Sequence, residues 1–289
     1  MPELPEVETI RRTLVPHLLG QVVRQVRLLT PSVWRGQDPA KVAGKRVASL
    51  DRRGKHLLIF LSPPPPSPGS SEPVEMVLHV HLGMTGRLIF VPRTEEPGAH
   101  LDPEEISGRH VHAVFAFDRG ELCFWDQRRF GYLELLRADA LESHPRLRLG
   151  PEPLDEEFMP SVLQRMLARR RAPVKAVLLD QHILAGVGNI YADEALHRAG
   201  VNPLRPAGGL KPVEVEALRH ALQQVLQEAI AARGTTFSDY RDGEGQPGEF
   251  VSRLRVYGRE GEPCPRCGAT IARQRFGGRS TYFCPRCQK

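Results

Sequence analysis

No apolar run in this 289-residue chain approaches the ~20 residues that a membrane span requires. The N-terminus also lacks the basic-then-apolar layout of a secretory leader, so the expectation is a cytoplasmic protein with no membrane partner. Cysteine is scarce: there are five, and four of them crowd the C-terminus, which argues against a secreted disulfide scaffold. Internal repeats are absent. Acidic residues are nearly missing from one place, residues 253–289, where eight Arg and one Lys face only Glu260 and Glu262. That stretch carries +7 of a total of +6, which leaves the other 252 residues at −1. So local a basic patch is the electrostatic footprint of a polyanion binder, the plainer alternative being a solubilising tail. With 40% hydrophobic and 26% charged residues, the composition is that of a soluble globular protein.

Three textures follow one another along the chain. Behind the opening "MPELPEVETI", Val7, Ile10, Leu14 and Leu18 recur at helical spacing and Gly20 stops the run. Pro16 is expected to weaken the last turn. Glu6 and Glu8 suit the positive end of the helix dipole, the reading they have by themselves. From about 21 to 135 come short β-rich runs such as "KHLLIFL", "EMVLHVHLGM" and "HVHAVFAF", whose branching and partial alternation predict an antiparallel sandwich. "SPPPPSPGSSEP" (62–73) and the stretch 92–108 read as protruding loops within it. The β texture ends near "RLGPEPLDEEF", and helices are expected at roughly 159–170, 173–184, 189–199 and 212–232. The domain boundaries are therefore set at 1–148, 149–252 and 253–289, with the polar, Gly-rich segment 234–250 as a functional loop of the middle domain.

Two stretches carry recognisable chemistry. Cys264-x2-Cys267, sixteen residues, then Cys284-x2-Cys287 is the spacing of a hairpin whose two thiolate pairs converge on one tetrahedral Zn²⁺. Four sulfur ligands leave no open position, so the metal is expected to be structural, contributing about −2 with its thiolates. Arg273, Arg275 and Arg279 lie on that hairpin, as phosphate contacts would. Cys123, inside a strand run, reads as a buried apolar residue. "HILAGVGNIYADEAL" pairs a Gly-x-Gly turn with Asn189 at a helix start, either an anion site at a helix N-terminus or an ordinary capped turn. No strand precedes it, so it is not a dinucleotide fingerprint.

Nine stretches taken together resemble the bacterial formamidopyrimidine-DNA glycosylases, in order and over the whole chain: "MPELPEVET", "RRGKHLL", "HLGMTGRL", "DQRRFGYL", "LGPEPL", "GVGNIYADEAL", "GTTFSDYRDGEGQPGEF", "VYGREGEPCPRCG" and "GRSTYFCPRCQ". The resemblance implies an α+β, bilobal fold: an N-terminal β-sandwich with an N-terminal helix, then a helical domain with a helix-two-turns-helix, then a C-terminal zinc finger, with DNA in the cleft. It implies a monomer acting on double-stranded DNA that contains oxidised purines or abasic sites, with one structural Zn²⁺. The implied activity excises 8-oxoguanine and formamidopyrimidines and then nicks the strand by β,δ-elimination.

By the same resemblance Pro2 is the nucleophile, Glu3 the adjacent acid and Glu6 an assisting acid. Lys55 serves β-elimination, with a phosphate contact as the alternative, and Arg279 serves δ-elimination. Met84, Arg128 and Phe130 fill the gap left by the extruded base, the 234–250 loop caps that base, and His110, Arg170, Lys175 and Asn189 touch DNA. Chemically the roles are coherent. A stacked base must be flipped out at a cost of roughly a few kcal/mol, and inserted side chains recover part of it. Core packing is the alternative for Met84 and Phe130, but both sit beside glycine turns. Pro2 is nucleophilic only once Met1 is removed; α-amino groups titrate near ~7.7–8.0, leaving a neutral fraction near pH 7. The chain departs from the family pattern at Gln127, at His56 where Tyr is common, and in the proline-rich insertion. Two other readings remain open: the sister family acting on oxidised pyrimidines, and a non-catalytic zinc-dependent nucleic-acid binder.

Overall fold

The computed structural model describes residues 2–64, 73–93 and 110–289. It divides into two compact units, residues 1–148 with 233–248, and residues 149–232 with 249–289. By this division residues 234–248 go with the β-rich unit. The reason is visible in their hydrogen bonds: Gly243 N donates to Thr13 Oγ1 at 3.0 Å, and Phe90 N donates to Gly243 O at 2.8 Å. The expected proline-rich loop falls mostly outside the described residues, as does the loop at 92–108.

The first unit begins with α1 (Leu4–Leu18), whose Val7, Ile10, Leu14 and Leu18 are all buried. Pro16 does not end it; the helix runs on to Leu18, and Leu19 N still reaches Val15 O at 3.0 Å. So close to the helix end, Pro16 removes one backbone bond and no more. Nine strands follow among the described residues: β1 (Gln25–Leu28), β2 (Trp34–Gly36), β3 (Arg46–Arg53), β4 (His56–Ser62), β5 (Met76–His81), β6 (Gly86–Pro92), β7 (Val111–Phe117), β8 (Gly120–Asp126) and β9 (Tyr132–Arg137). They form a sheet of order β1-β7-β8-β6 and another of order β2-β9-β5-β4-β3. All pairings are antiparallel except β2 with β9, which is parallel.

Strand alternation decides what each sheet buries. Leu57, Ile59 and Leu61 of β4, Leu78 and Val80 of β5 and Leu133 and Leu135 of β9 enter one core, together with Leu88, Phe115, Leu122 and Phe124 of the other sheet. Residues of opposite parity on β5 and β9, among them His79, His81, Tyr132 and Glu134, take the other face. Cys123 is buried in β8, and burial pushes its thiol up to about 11, as suits an apolar role.

The second unit holds α2 (Pro160–Leu167), α3 (Val174–Leu179), α4 (Asn189–Ala199) and α5 (Pro212–Ala231), packed around Leu163, Leu178, Tyr191, Leu196, Leu218 and Leu222. Residues 180–188, between α3 and α4, are turned back by Gln181, which accepts from Gly186 N at 2.9 Å and donates to Val187 O at 2.8 Å. The C-terminal hairpin, β10 (Ala272–Phe276) and β11 (Arg279–Phe283), is closed by Gly277 and Gly278. Both have positive φ (55° and 76°), the geometry of a two-residue turn that suits the strand twist. No helix among the described residues is long and apolar enough to cross a membrane.

Candidate active site and zinc centre

At the head of α1 the N-terminal residues are held in place. Pro2 and Glu3 are buried, and Glu3 is the N-cap residue. Glu6 uses both carboxylate oxygens: Oε2 accepts the N–H of Glu3 at 2.8 Å and Oε1 accepts the N–H of Thr235 at 2.8 Å. Tyr240 adds a hydroxyl bond to the Glu6 carbonyl at 3.3 Å. One buried carboxylate thus fastens both the start of the chain and the 233–248 segment. Glu8 works differently from the dipole partner suggested by its position. Burial would raise its carboxyl, but hydrogen bonds from Arg11 and Arg12, and the charge of Arg52, hold it down at about 2.

Met84, Arg128 and Phe130 are brought together. Met84 lies in the turn between β5 and β6 and is 43% exposed; Phe130 lies between β8 and β9 and is 55% exposed, so neither packs in the core. The two turns abut where Gly83 has φ +61° and a Cβ on it would come 2.5 Å from Gly131 N. The Arg128 guanidinium sits 4.7 Å from the centre of the Phe130 ring. Sequence reasoning missed the residue that builds this surface. Asp126, fully buried at the end of β8, accepts from Gly131 N at 2.7 Å, from Arg128 N at 3.2 Å and from the Thr85 hydroxyl. An Asp at a strand end ahead of a loop was the signal, because its carboxylate collects backbone N–H groups that no ladder satisfies. His110 is near: its carbonyl accepts Asp126 N at 3.0 Å. Lys55 is buried in the β3–β4 turn beside Gly54 (φ 58°), and its charge helps press His81 down to about 4, after burial and ahead of Arg35 and Arg146.

In the second unit two predicted residues converge on one carbonyl. Lys175 Nζ and Asn189 Nδ2 each reach Ser280 O at 3.0 Å, next to Arg279, which is exposed at the start of β11. Lys175 is 2% exposed, and its ammonium also meets Thr281 Oγ1 at 3.0 Å and pairs with Asp193 Oδ1 at 2.7 Å. Burial raises the Asp193 carboxyl and Lys175 opposes it, so the two form an internal cross-brace. Asn189 is not the helix cap: Gly188 holds that position, and the Asn189 amide is spent on the hairpin. Arg170 lies elsewhere, exposed, with Nε on Met166 O at 2.7 Å.

The four cysteines fit a zinc ion. Their sulfurs all lie within 4.8 Å of one another, with Cys264 to Cys287 at 3.9 Å and Cys267 to Cys284 at 3.5 Å. A tetrahedron with Zn–S bonds of ~2.3 Å has edges of about 3.8 Å, so the donor set is the right size. Its supports were also missed by sequence reasoning. Buried His197 brings Nε2 to 3.4 Å from Cys264 Sγ. Glu194 accepts the N–H groups of Arg255, Val256 and Tyr257, each at 2.9 Å, and Asp193 accepts Tyr282 N at 2.9 Å. Two adjacent carboxylates, Asp193 and Glu194, within a helix that also carries Ile190, Tyr191, Ala192, Ala195 and Leu196 were the available signal, for such groups are buried only when paired.

A β-sandwich with Pro2 and Glu3 buried at the head of its helix, and a helical unit braced to a four-cysteine hairpin rich in arginine, is the layout of the zinc-finger DNA glycosylases. Three family descriptions match the chain in order: the N-terminal domain of formamidopyrimidine-DNA glycosylase over residues 1–133, the H2TH domain of the same enzyme over 149–241, and the zinc finger found in FPG and IleRS over 261–289. The chain belongs to the formamidopyrimidine-DNA glycosylase family. It is 50% identical over 279 residues to the formamidopyrimidine-DNA glycosylase of Moorella thermoacetica, covering 94% of each chain, and 45% identical to that of Desulfitobacterium hafniense, also covering 94% of each. Among solved structures it matches the MutM (Fpg) protein of Thermus thermophilus at 44% identity and a TM-score of 0.83, over 99% of this chain and 98% of that one. It matches Lactococcus lactis FPG in complex with Fapy-dG-containing DNA at 32% identity and a TM-score of 0.85, over all of both chains.

Proposed function

We propose that this protein is a bifunctional glycosylase and abasic-site lyase of base-excision repair, acting as a monomer on oxidised purines in double-stranded DNA. The observation that carries this reading is the fastening of Pro2 and Glu3: a chain start that ordinarily frays is buried and held through Glu6. The family relatives, some solved with lesion-containing or abasic-site DNA, support the same substrate class.

In this reading the amine of Pro2, freed by removal of Met1, attacks C1′ of an extruded nucleotide as the bond to the base breaks. The base leaves with a proton, and Glu3 protonates the sugar ring oxygen as the ring opens to an iminium. The iminium acidifies C2′–H; loss of that proton expels the 3′ phosphate, a step that Lys55 serves. Loss of a further proton at C4′ expels the 5′ phosphate, with Arg279 stabilising the departing charge. Met84 and Phe130 take the vacated space in the stack, and Arg128 bonds the orphaned base. His110 and Arg170 meet phosphates. Glu6 positions the reacting residues, and Lys175 and Asn189 hold the hairpin that presents Arg279. Cys264, Cys267, Cys284 and Cys287 hold a structural Zn²⁺, which fixes that hairpin's fold when bound. Thiolate ligands of this kind persist in a reducing compartment, and on that ground we assign the protein to the cytoplasm.

Borohydride trapping on an 8-oxoguanine duplex is the test. A covalent protein–DNA complex is expected from the protein with a free Pro2 amine, and none from a form that retains Met1. Equal trapping with the N-terminus blocked would overturn the assignment of Pro2, and no trapping at all would overturn the function.

A further inference from the structure

On the sheet face turned away from the core, four histidines gather around one glutamate. His79 on β5 and Glu134 on β9 are register partners, His56 on β4 is one strand further over, and His144 comes from the chain just after β9. His79 is 0% exposed and Glu134 is 8% exposed, which is an expensive place for a carboxylate unless it is well partnered. His79 Nδ1 lies 3.3 Å and His144 Nε2 3.5 Å from the same oxygen, Glu134 Oε2. Yet His79 Nδ1 is buried without a properly aligned hydrogen bond. Its other nitrogen is taken, by His56 Nδ1 at 2.7 Å. The fourth ring, His81, lies tilted against His56, with ring centroids 4.9 Å apart.

We infer that His79, Glu134 and His144 form a second metal site, distinct from the four cysteines, for a borderline divalent cation of the Zn²⁺ class. The three donor atoms lie within 4.8 Å of one another. A tetrahedral ion with bonds of ~2.0–2.1 Å to nitrogen and oxygen sets its ligand atoms about 3.3–3.4 Å apart, close to the two donor separations given above. Imidazole with carboxylate is the donor set for such ions, and three protein ligands leave one position for water. His56 supplies the support that a ligating histidine requires. As the acceptor of the His79 Nε2–H it fixes the tautomer that leaves the Nδ1 lone pair facing the site.

One cation competes: Arg146 Nη1 is 3.2 Å from the same oxygen. Its side chain is 47% exposed, so it can turn to solvent when a metal takes its place. The bound ion would staple the segment after β9 to the sheet, behind the strand that leads into the Met84 turn. There His81 Nδ1 accepts Gly83 N at 3.2 Å.

The test is a zinc titration of the protein already carrying one zinc on its cysteines, followed by calorimetry and elemental analysis. The expected result is a second zinc per chain and a raised melting temperature. His144→Asn and Glu134→Gln should each abolish that binding, and His56→Phe should weaken it by about 10–100-fold. Retained tetrathiolate zinc and an unchanged far-UV spectrum show that a variant is folded. A wild-type titration that ends at one zinc per chain overturns the inference without recourse to any variant. So does a second zinc that binds folded His144→Asn and Glu134→Gln as tightly as wild type.

Discussion

Glu6→Gln is the substitution that most directly separates positioning from proton transfer. In the native structure each Glu6 oxygen receives one buried backbone N–H, from Glu3 and from Thr235, both at 2.8 Å. Glutamine has the same shape but only one acceptor oxygen; its NH₂ must face whichever N–H remains. One hydrogen bond to an ionised acceptor is worth about 1.5–3 kcal/mol, and the stranded buried donor adds a desolvation cost of similar size. Part of this is relieved by local movement, so a net loss of about 2–4 kcal/mol is expected, to be read by thermal or urea unfolding. If about 2 kcal/mol of it falls on the placement of Pro2 and Glu3, single-turnover borohydride trapping slows by about 30-fold. Because the defect is geometric, the shape of the pH–rate profile should not change, whereas loss of an acid catalyst removes one limb. A Glu6→Gln protein of native stability that traps at the native rate refutes the reasoning, and a profile that loses its limb returns Glu6 to acid–base chemistry.

Three further outcomes follow from the same structure. Asp126→Ala strips the acceptor from Gly131 N, Arg128 N and the Thr85 hydroxyl, and should cost about 3–5 kcal/mol in unfolding free energy while weakening lesion-DNA binding in a gel-shift assay. Lys175→Met leaves Asp193 buried and unpaired, so a loss of about 3–5 kcal/mol in stability is expected. If Lys175 only braces the hairpin, the slope of log affinity against log salt stays at its wild-type value; a slope reduced by about 1 makes it a phosphate contact. Glu8 has its pKa lowered from 4.5 to about 2, so its contribution is complete above the unfolded value and is lost as pH falls from about 4.5 to about 2. It amounts to about 3 kcal/mol at most and should vanish from the acid-unfolding curve of Glu8→Gln.

The chain's own chemistry was legible where it is local. A helix stripe at Val7, Ile10, Leu14 and Leu18 needs only a 3.6-residue period, and two CxxC pairs need only a hairpin between them to converge. Alternation announced the strands of the first unit, because each of them has one face in a common core. The partners of charged groups were not legible. The partners of Lys175, which are Asp193, Ser280 and Thr281, are supplied from 18, 105 and 106 residues away. Asn189 reads as a cap until Gly188 takes that place.

What the sequence determined by itself was the set of local geometries and ligands: helix, strands, glycine turns and four thiolates. Their physics is short-ranged, a matter of backbone sterics and of spacing within a few residues. Only the tertiary structure decided that the 233–248 segment joins the sandwich, that Glu6 fastens Pro2 and Glu3, and that His56, His79, Glu134 and His144 meet on one sheet face. Those outcomes depend on which distant donors and acceptors are left unpaired once the cores close, and burial is what makes leaving them unpaired too costly.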